Sequence, residues 1–291
     1  MSEYKKIILR PFDGYGDWIS LCGMIRLFAE KYEEVELVMF YGGSGKKSFV
    51  ENLFRDLNNV SVHDIYSSLN VEEHDDYVDL IIWDSGNPAQ EVREESNYYN
   101  RFNLIGKKLG FDLKVLQNNF FARKMNPTRF TEEAQKVLDN NATAFYLSMG
   151  IPDSYRTEYF HYERDCDRED KFFSQLNLPK KYNVVCEYGD NLIDRKYFSD
   201  NTIPVINIHN LSDNLFDIIK VAENAQEIHL IENATSLLIY YLTYKQLINV
   251  QEVLLHTYSR KETRRICDKN MNNIFIDMYK KPLLDNWKLI Y

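Results

Sequence analysis

Short apolar runs alternate along this chain with stretches where apolar residues return every third or fourth position, the rhythm of strands followed by helices. In the first half, Ile7 to Arg10, Val35 to Phe40, Val60 to His63 and Leu80 to Trp83 read as strands. Trp18 to Tyr32 and Ser48 to Leu57 read as helices. Ile19, Cys22, Ile25, Leu27 and Phe28 keep an apolar stripe on the first helix, as packing against a sheet requires. From Tyr98 to Leu138 the pattern turns helical and polar, which predicts an insert that leaves the sheet. The rhythm resumes near Tyr182. Val184 to Glu187, Val205 to Ile208, Ile228 to Ile231 and Val253 to His256 read as strands, and Leu215 to Ala222 and Ser236 to Leu242 as helices. This alternation predicts an α/β protein with parallel sheets of the doubly wound kind.

At 291 residues the chain can bury two cores, so the expectation is two Rossmann-like domains with a cleft between them. The charged stretch Tyr159 to Lys181, ending near Pro179, is the expected connection. The first domain then spans residues 1–165, the second 166–278, and the apolar tail 279–291 is expected to pack back on the first. A net charge of −9 and the lack of a lysine or arginine run argue against a nucleic-acid partner. Cys22, Cys166, Cys186 and Cys267 are far apart, and the N-terminus has no signal-peptide pattern, which reads as a reduced, cytoplasmic protein. No apolar run approaches the roughly 20 residues of a membrane span, leaving only peripheral membrane contact.

The chemistry concentrates at strand-to-helix turns. Asp13-Gly14-Tyr15-Gly16-Asp17 joins the first strand to the first helix, and its glycines suggest backbone angles that residues with a Cβ avoid. Ile19 stands where a dinucleotide fingerprint has its third glycine, which disfavours a nicotinamide or flavin cofactor. Asp17 either caps the helix or faces the crevice as a base. Gly42 to Ser48 resembles a P-loop in composition only: Phe40 stands where the first glycine belongs, and Lys47 where Ser or Thr should follow Lys46. Glu232-Asn233-Ala234-Thr235-Ser236 opens a helix after a strand, a place for a phosphate or an ordinary capping box. Arg195 and Lys196 follow the first strand of the second half and either balance a diphosphate or sit solvated. Asp165-Cys166-Asp167 has metal-binding D-x-D spacing, but its run of charges favours a solvated linker. The six histidines lack metal-ligand spacing, and His209 and His256 lie near strand ends. Trp18, Trp83, Tyr98 and Tyr99 are aromatics that either stack on sugar rings or belong to the core.

Two of these stretches resemble the two-Rossmann-domain (GT-B) glycosyltransferases, and most nearly the heptosyltransferase-like branch, family nine. Gly16-Asp17 with the helix carrying Met24-Ile25-Arg26 looks like that family's N-terminal turn. Asp213 to Leu242 looks like its C-terminal helix, strand and ligand-binding turn. The second match departs from the family's N-D-S-G-like turn, since Glu232-Asn233-Ala234-Thr235 stands there. The resemblance implies an inverting glycosyltransferase that needs no metal or other cofactor. Asp17 would be its catalytic base, and the loop Asp13, Gly14, Tyr15 and Gly16 would lie on the acceptor side. Arg195, Lys196, Glu232, Asn233, Thr235 and Ser236 would bind a nucleotide-sugar donor. The acceptor would be a glycan, a lipid-linked saccharide or a protein. The alternative is a non-catalytic nucleotide- or glycan-binding module of the same fold.

Overall fold

The computed structural model describes residues 6–11, 14–39, 44–64, 77–82, 146, 151–152, 154–187, 189–190, 192–209, 211–256 and 284–290. The chain divides into two compact units, Met1–His161 and Tyr162–Tyr291. The expected boundary at 165/166 therefore falls four residues late. The expected helical insert, Cys267, Trp83, Tyr98 and Tyr99 lie outside the described residues.

In the first unit, β1 (Lys6–Pro11), α1 (Tyr15–Lys31), β2 (Glu34–Met39), α2 (Ser44–Leu53), β3 (Val60–Asp64) and β4 (Tyr77–Ile82) follow the predicted order. Their sheet runs β3-β2-β1-β4, with every pair parallel. The glycine-lysine stretch after β2 starts α2 directly at Ser44, so the described part of the P-loop-like run is helix. α1 is buried along its whole middle, from Trp18 to Phe28. Trp18 is thus a core residue, the second of the two readings open to it.

Close packing around α1 needs Gly23. A Cβ there would come within 2.3 Å of the carbonyl oxygen of Tyr155, in the short helix α3 (Tyr155–Glu158). The Tyr146 hydroxyl enters the α1 ladder. It accepts from the Met24 N–H at 2.9 Å and donates to the Ser20 carbonyl at 2.9 Å, bridging a pair that a regular helix joins directly. Arg26, on the same helix, is buried against Asp56 with a two-pronged ion pair of 2.7 and 2.8 Å.

The second unit opens with α4 (Cys166–Gln175), inside the stretch expected to be a connector. The boundary between the units does fall inside that stretch, but most of it is folded rather than connector, because its charges are used in packing. Arg164 grips Glu169 and Glu223, and Arg168 pairs with Asp217 at 2.7 Å. Then come β5 (Asn183–Cys186), a 3-10 turn at Arg195–Tyr197, β6 (Val205–Asn207), a second 3-10 turn at Leu215–Ile218 leading into α5 (Ile219–Glu223), β7 (Ile228–Ile231), α6 (Ala234–Tyr244), β8 (Val253–His256) and β9 (Trp287–Ile290). All neighbours in the sheet β6-β5-β7-β8-β9 are parallel. β5, β7 and β8 are buried throughout, as strands covered on both faces are.

The tail expectation is also corrected. Trp287–Ile290 is not a strap over the first unit but the edge strand of the second sheet, with Trp287 paired to Val253 and Ile290 to His256. Its apolar side chains answer a sheet edge, with Trp287 buried edge-on against Tyr240 of α6.

Candidate functional site

An open parallel sheet binds ligands where the chain reverses the direction in which it adds strands, at the carboxyl ends flanking that point. In the first sheet the reversal lies between β1 and β4, and in the second between β5 and β7. The glycine-aspartate turn follows β1, while Cys186-Glu187 and Glu232-Asn233 follow β5 and β7. The sequence-predicted residues therefore gather at the two switch points, each within its own unit.

At the first, Asp13 lies outside the described residues. Gly14 is the N-cap of α1, with φ −77° and ψ 146°, an ordinary extended conformation. Gly16 lies inside the first turn of the helix. The expectation of unusual glycine angles is therefore corrected: position 14 needs space rather than a special φ. The Asp17 carboxylate accepts a hydrogen bond from the Gly14 N–H at 3.1 Å, and a Cβ on residue 14 would sit 2.5 Å from it. Asp17 thus holds the carboxylate half of a capping box. Tyr15 sets its ring edge-on to Phe49 at 4.9 Å. Of the two roles open to Asp17, the cap is observed, and a carboxylate held in this way at a strand's carboxyl end is also fixed in orientation.

At the second switch point the N-terminus of α6 is built by Asn233 and Ser236. The Asn233 side chain accepts from the Ser236 N–H at 3.0 Å, and the Ser236 hydroxyl accepts from the Asn233 N–H at 3.0 Å. The Asn233 amide also donates to the Cys186 sulfur at 3.1 Å, which ties the turn after β7 to the end of β5. Burial pushes the Cys186 thiol up, against the pull of hydrogen bonds from Asn233 and Thr235, so Cys186 is a neutral packing residue. Ser236 is fully buried and Thr235 nearly so, while Glu232 is half-buried.

At the end of β5, Glu187 orients Arg195. Its buried carboxylate accepts from the Ile193 N–H at 2.7 Å and from the Arg195 guanidinium at 2.8 Å, and Asn207 holds its backbone on both sides. Arg195 also lies 5.1 Å over the Phe198 ring, yet its side chain remains 48% exposed. Such a guanidinium is oriented and still reachable. Lys196 is more exposed and pairs with Asp194 at 2.8 Å, which holds its ammonium above the usual lysine range and the Asp194 carboxyl below its own. Leu192, also at this end of β5, is the most exposed large apolar side chain among the described residues.

Sequence reasoning missed Glu187, Asn207 and the imidazole of His229. The alternation Glu227-His229-Ile231 into and along β7 carried the signal for the last of these, since every second residue of an extended segment shares one face. The D-x-D pair lies elsewhere. Asp165 caps α4 by accepting from the Arg168 N–H at 3.1 Å, which makes it a helix start rather than a loose linker. Among the described residues no group of acidic, histidine or cysteine side chains is arranged to hold a metal, and no helix is long and apolar enough to cross a membrane.

No protein-family model and no curated protein matches the chain. Two solved structures are similar to it. Over 98% of this chain and 90% of its own, ADP-heptose LPS heptosyltransferase II of E. coli gives a TM-score of 0.42 at 8% identity. A glycosyl transferase family 9 protein of Veillonella parvula covers 88% of this chain and 82% of its own, with a TM-score of 0.41 at 10% identity. Both names belong to the branch that the two sequence stretches resemble. At such TM-scores the likeness decides nothing about chemistry, which rests on the residues.

Proposed function

We propose that this chain is a glycosyltransferase that takes a sugar from a nucleotide-sugar donor and passes it to a hydroxyl acceptor. The observation that carries the reading is the second switch point. A capped helix start at Asn233–Ser236 and a half-exposed, carboxylate-oriented Arg195 flank the carboxyl ends of adjacent strands β5 and β7. This pairing suits a diphosphate, which a helix N-terminus and a guanidinium both favour.

In this reading Arg195, Lys196, Glu232, Asn233, Thr235 and Ser236 make up the donor site, with Asn233 and Ser236 shaping the capped turn. Arg195 and Lys196 stabilise the departing diphosphate in place of a metal. Asp17 takes the proton of the acceptor hydroxyl, whose oxygen then attacks the anomeric carbon in one displacement that inverts it. Its neighbours Asp13, Gly14, Tyr15 and Gly16 make up the acceptor side. The acceptor is a glycan, a lipid-linked saccharide or a protein, and the setting is cytoplasmic. The second reading, a binding module without turnover, is favoured by the cap that already occupies Asp17.

The test is a thermal-shift panel of UDP-, GDP-, ADP- and CMP-sugars, with and without magnesium. A ligand at 100 times its dissociation constant stabilises by about 2.7 kcal/mol. A selective shift that ignores magnesium supports the reading and names the nucleotide. A shift that requires magnesium overturns metal independence, and no shift with any donor overturns the donor site. Donor binding without turnover on any acceptor selects the binding module.

A further inference from the structure

Beneath the Arg195–Lys196 turn lies a row of buried polar groups that the donor reading does not use. Glu227 stands just before β7, His229 within it and His256 at the end of β8, and all three are almost fully buried. Glu227 contacts His229 Nε2 at 3.3 Å, and His229 Nδ1 contacts His256 Nε2 at 3.0 Å. The far end is Ser199, whose hydroxyl donates to Glu227 and whose N–H donates to the same carboxylate at 3.3 Å.

The segment 195–199 is seated on this row residue by residue. The Tyr197 ring stands edge-on to His256 at 5.3 Å. Phe198 stacks on His229, centroids 3.9 Å apart and 10° from parallel. Ser199 is bonded to Glu227, and Arg195 lies over the Phe198 ring that rests on His229.

Donor and acceptor logic fixes the protons. A carboxylate only accepts, so His229 carries its proton on Nε2 and offers Nδ1 as an acceptor. His256 must then donate from its own Nε2. One tautomer of each ring satisfies the row, and a protonated His229 would set two N–H groups against each other. In a buried polar chain the contacts between its members are strong, and meeting both of them favours one arrangement of what rests on the row.

We infer that Glu227, His229 and His256 are positioning residues: a fixed-tautomer row that seats the 195–199 segment so that Arg195 and Lys196 present their charges at the carboxyl end of β5. The inference rests on the reading of Arg195 and Lys196 as diphosphate ligands, and its test separates the two. Two readouts need no ligand. Nitrogen-15 spectra of the full chain at neutral pH should show His229 and His256 both as Nε2–H tautomers, and an Nδ1–H form of His229 overturns the row. Hydrogen exchange of amides 195–199 should quicken roughly tenfold in His256→Leu and return to the wild-type rate in His256→Gln, whose amide replaces the Nε2–H donor.

The third readout is calorimetric titration with inorganic pyrophosphate. His256→Leu should weaken it about tenfold, with His256→Gln near wild type. If Arg195→Ala leaves pyrophosphate affinity unchanged, the donor reading fails while the exchange and tautomer results still judge the row. If Arg195→Ala weakens binding but His256→Leu alters neither exchange nor affinity, the positioning role is overturned.

Discussion

The Asp17 carboxylate and the Gly14 backbone are fitted to each other: Oδ2 lies 3.1 Å from the Gly14 nitrogen, and only 2.5 Å from where a Cβ on residue 14 would stand. Gly14→Ala must therefore displace the carboxylate. Substituting Asp17 by Asn keeps most of the cap while removing the base. On the proposed mechanism Asp17→Asn lowers turnover about 10²- to 10⁴-fold with little change in melting temperature. Full activity in Asp17→Asn would leave Asp17 as a cap and nothing more.

Acidification should cost this protein stability through its imidazoles. Burial, and next the neighbouring His229, push His256 down to about 3, against the pull of Asp194. His229 is lowered too, chiefly by burial, with Glu227 and Glu252 opposing and Arg195 adding to the shift. An unfolded histidine titrates near 6.5, so between about 6.5 and 3 the unfolded chain binds more protons. The contribution is complete above about pH 6.5 and is lost as pH falls towards 3, by a few kcal/mol in all, roughly. Urea midpoints at pH 7.5, 6 and 5 should drop less in His256→Gln than in wild type. Parallel pH dependences would refute the assignment.

Gly23→Ala should destabilise the first unit. The new Cβ meets the backbone carbonyl of Tyr155 at 2.3 Å, and a carbonyl in a packed helix cannot swing aside as a side chain can. A loss of about 1–3 kcal/mol is expected in a denaturant titration. An unchanged midpoint would mean that α1 and α3 pack less tightly than this geometry requires.

Arg164 joins Glu169, Glu223 and the Leu247 carbonyl, with its side chain 17% exposed. Arg164→Met leaves two carboxylates without the guanidinium they share and should cost about 3–5 kcal/mol. The triple change Arg164→Met, Glu169→Leu, Glu223→Gln should recover much of it. A single variant as stable as wild type would show the network to be dispensable.

Fold was legible where the pattern of apolar residues is regular. Ile228–Ile231 and Val253–His256 form strands with the predicted bounds, because fully buried parallel strands are continuous apolar runs. The segment 166–175 was not legible as a helix, because its partners Asp217 and Lys220 are far away in sequence and its charges read locally as solvated. The same holds for Trp287–Ile290, whose apolar residues announce burial without saying against what. At the candidate site the turns carried a sequence signature, but Glu187 did not. What marks Glu187 is its carboxylate's grip on Ile193 and Arg195, a tertiary fact.

The hydroxyl of Tyr146 between Ser20 and Met24 has a consequence for how the chain reaches its native state. One rung of α1 is closed by a residue 122 positions beyond Met24, so local helix formation alone cannot complete it. Loop closure over that distance comes before the reward. The middle of the helix that carries Asp17 is therefore finished only when the chain around residue 146 arrives, and the Met24 amide is a reporter of that event. Its protection from exchange during refolding should lag behind that of its helical neighbours.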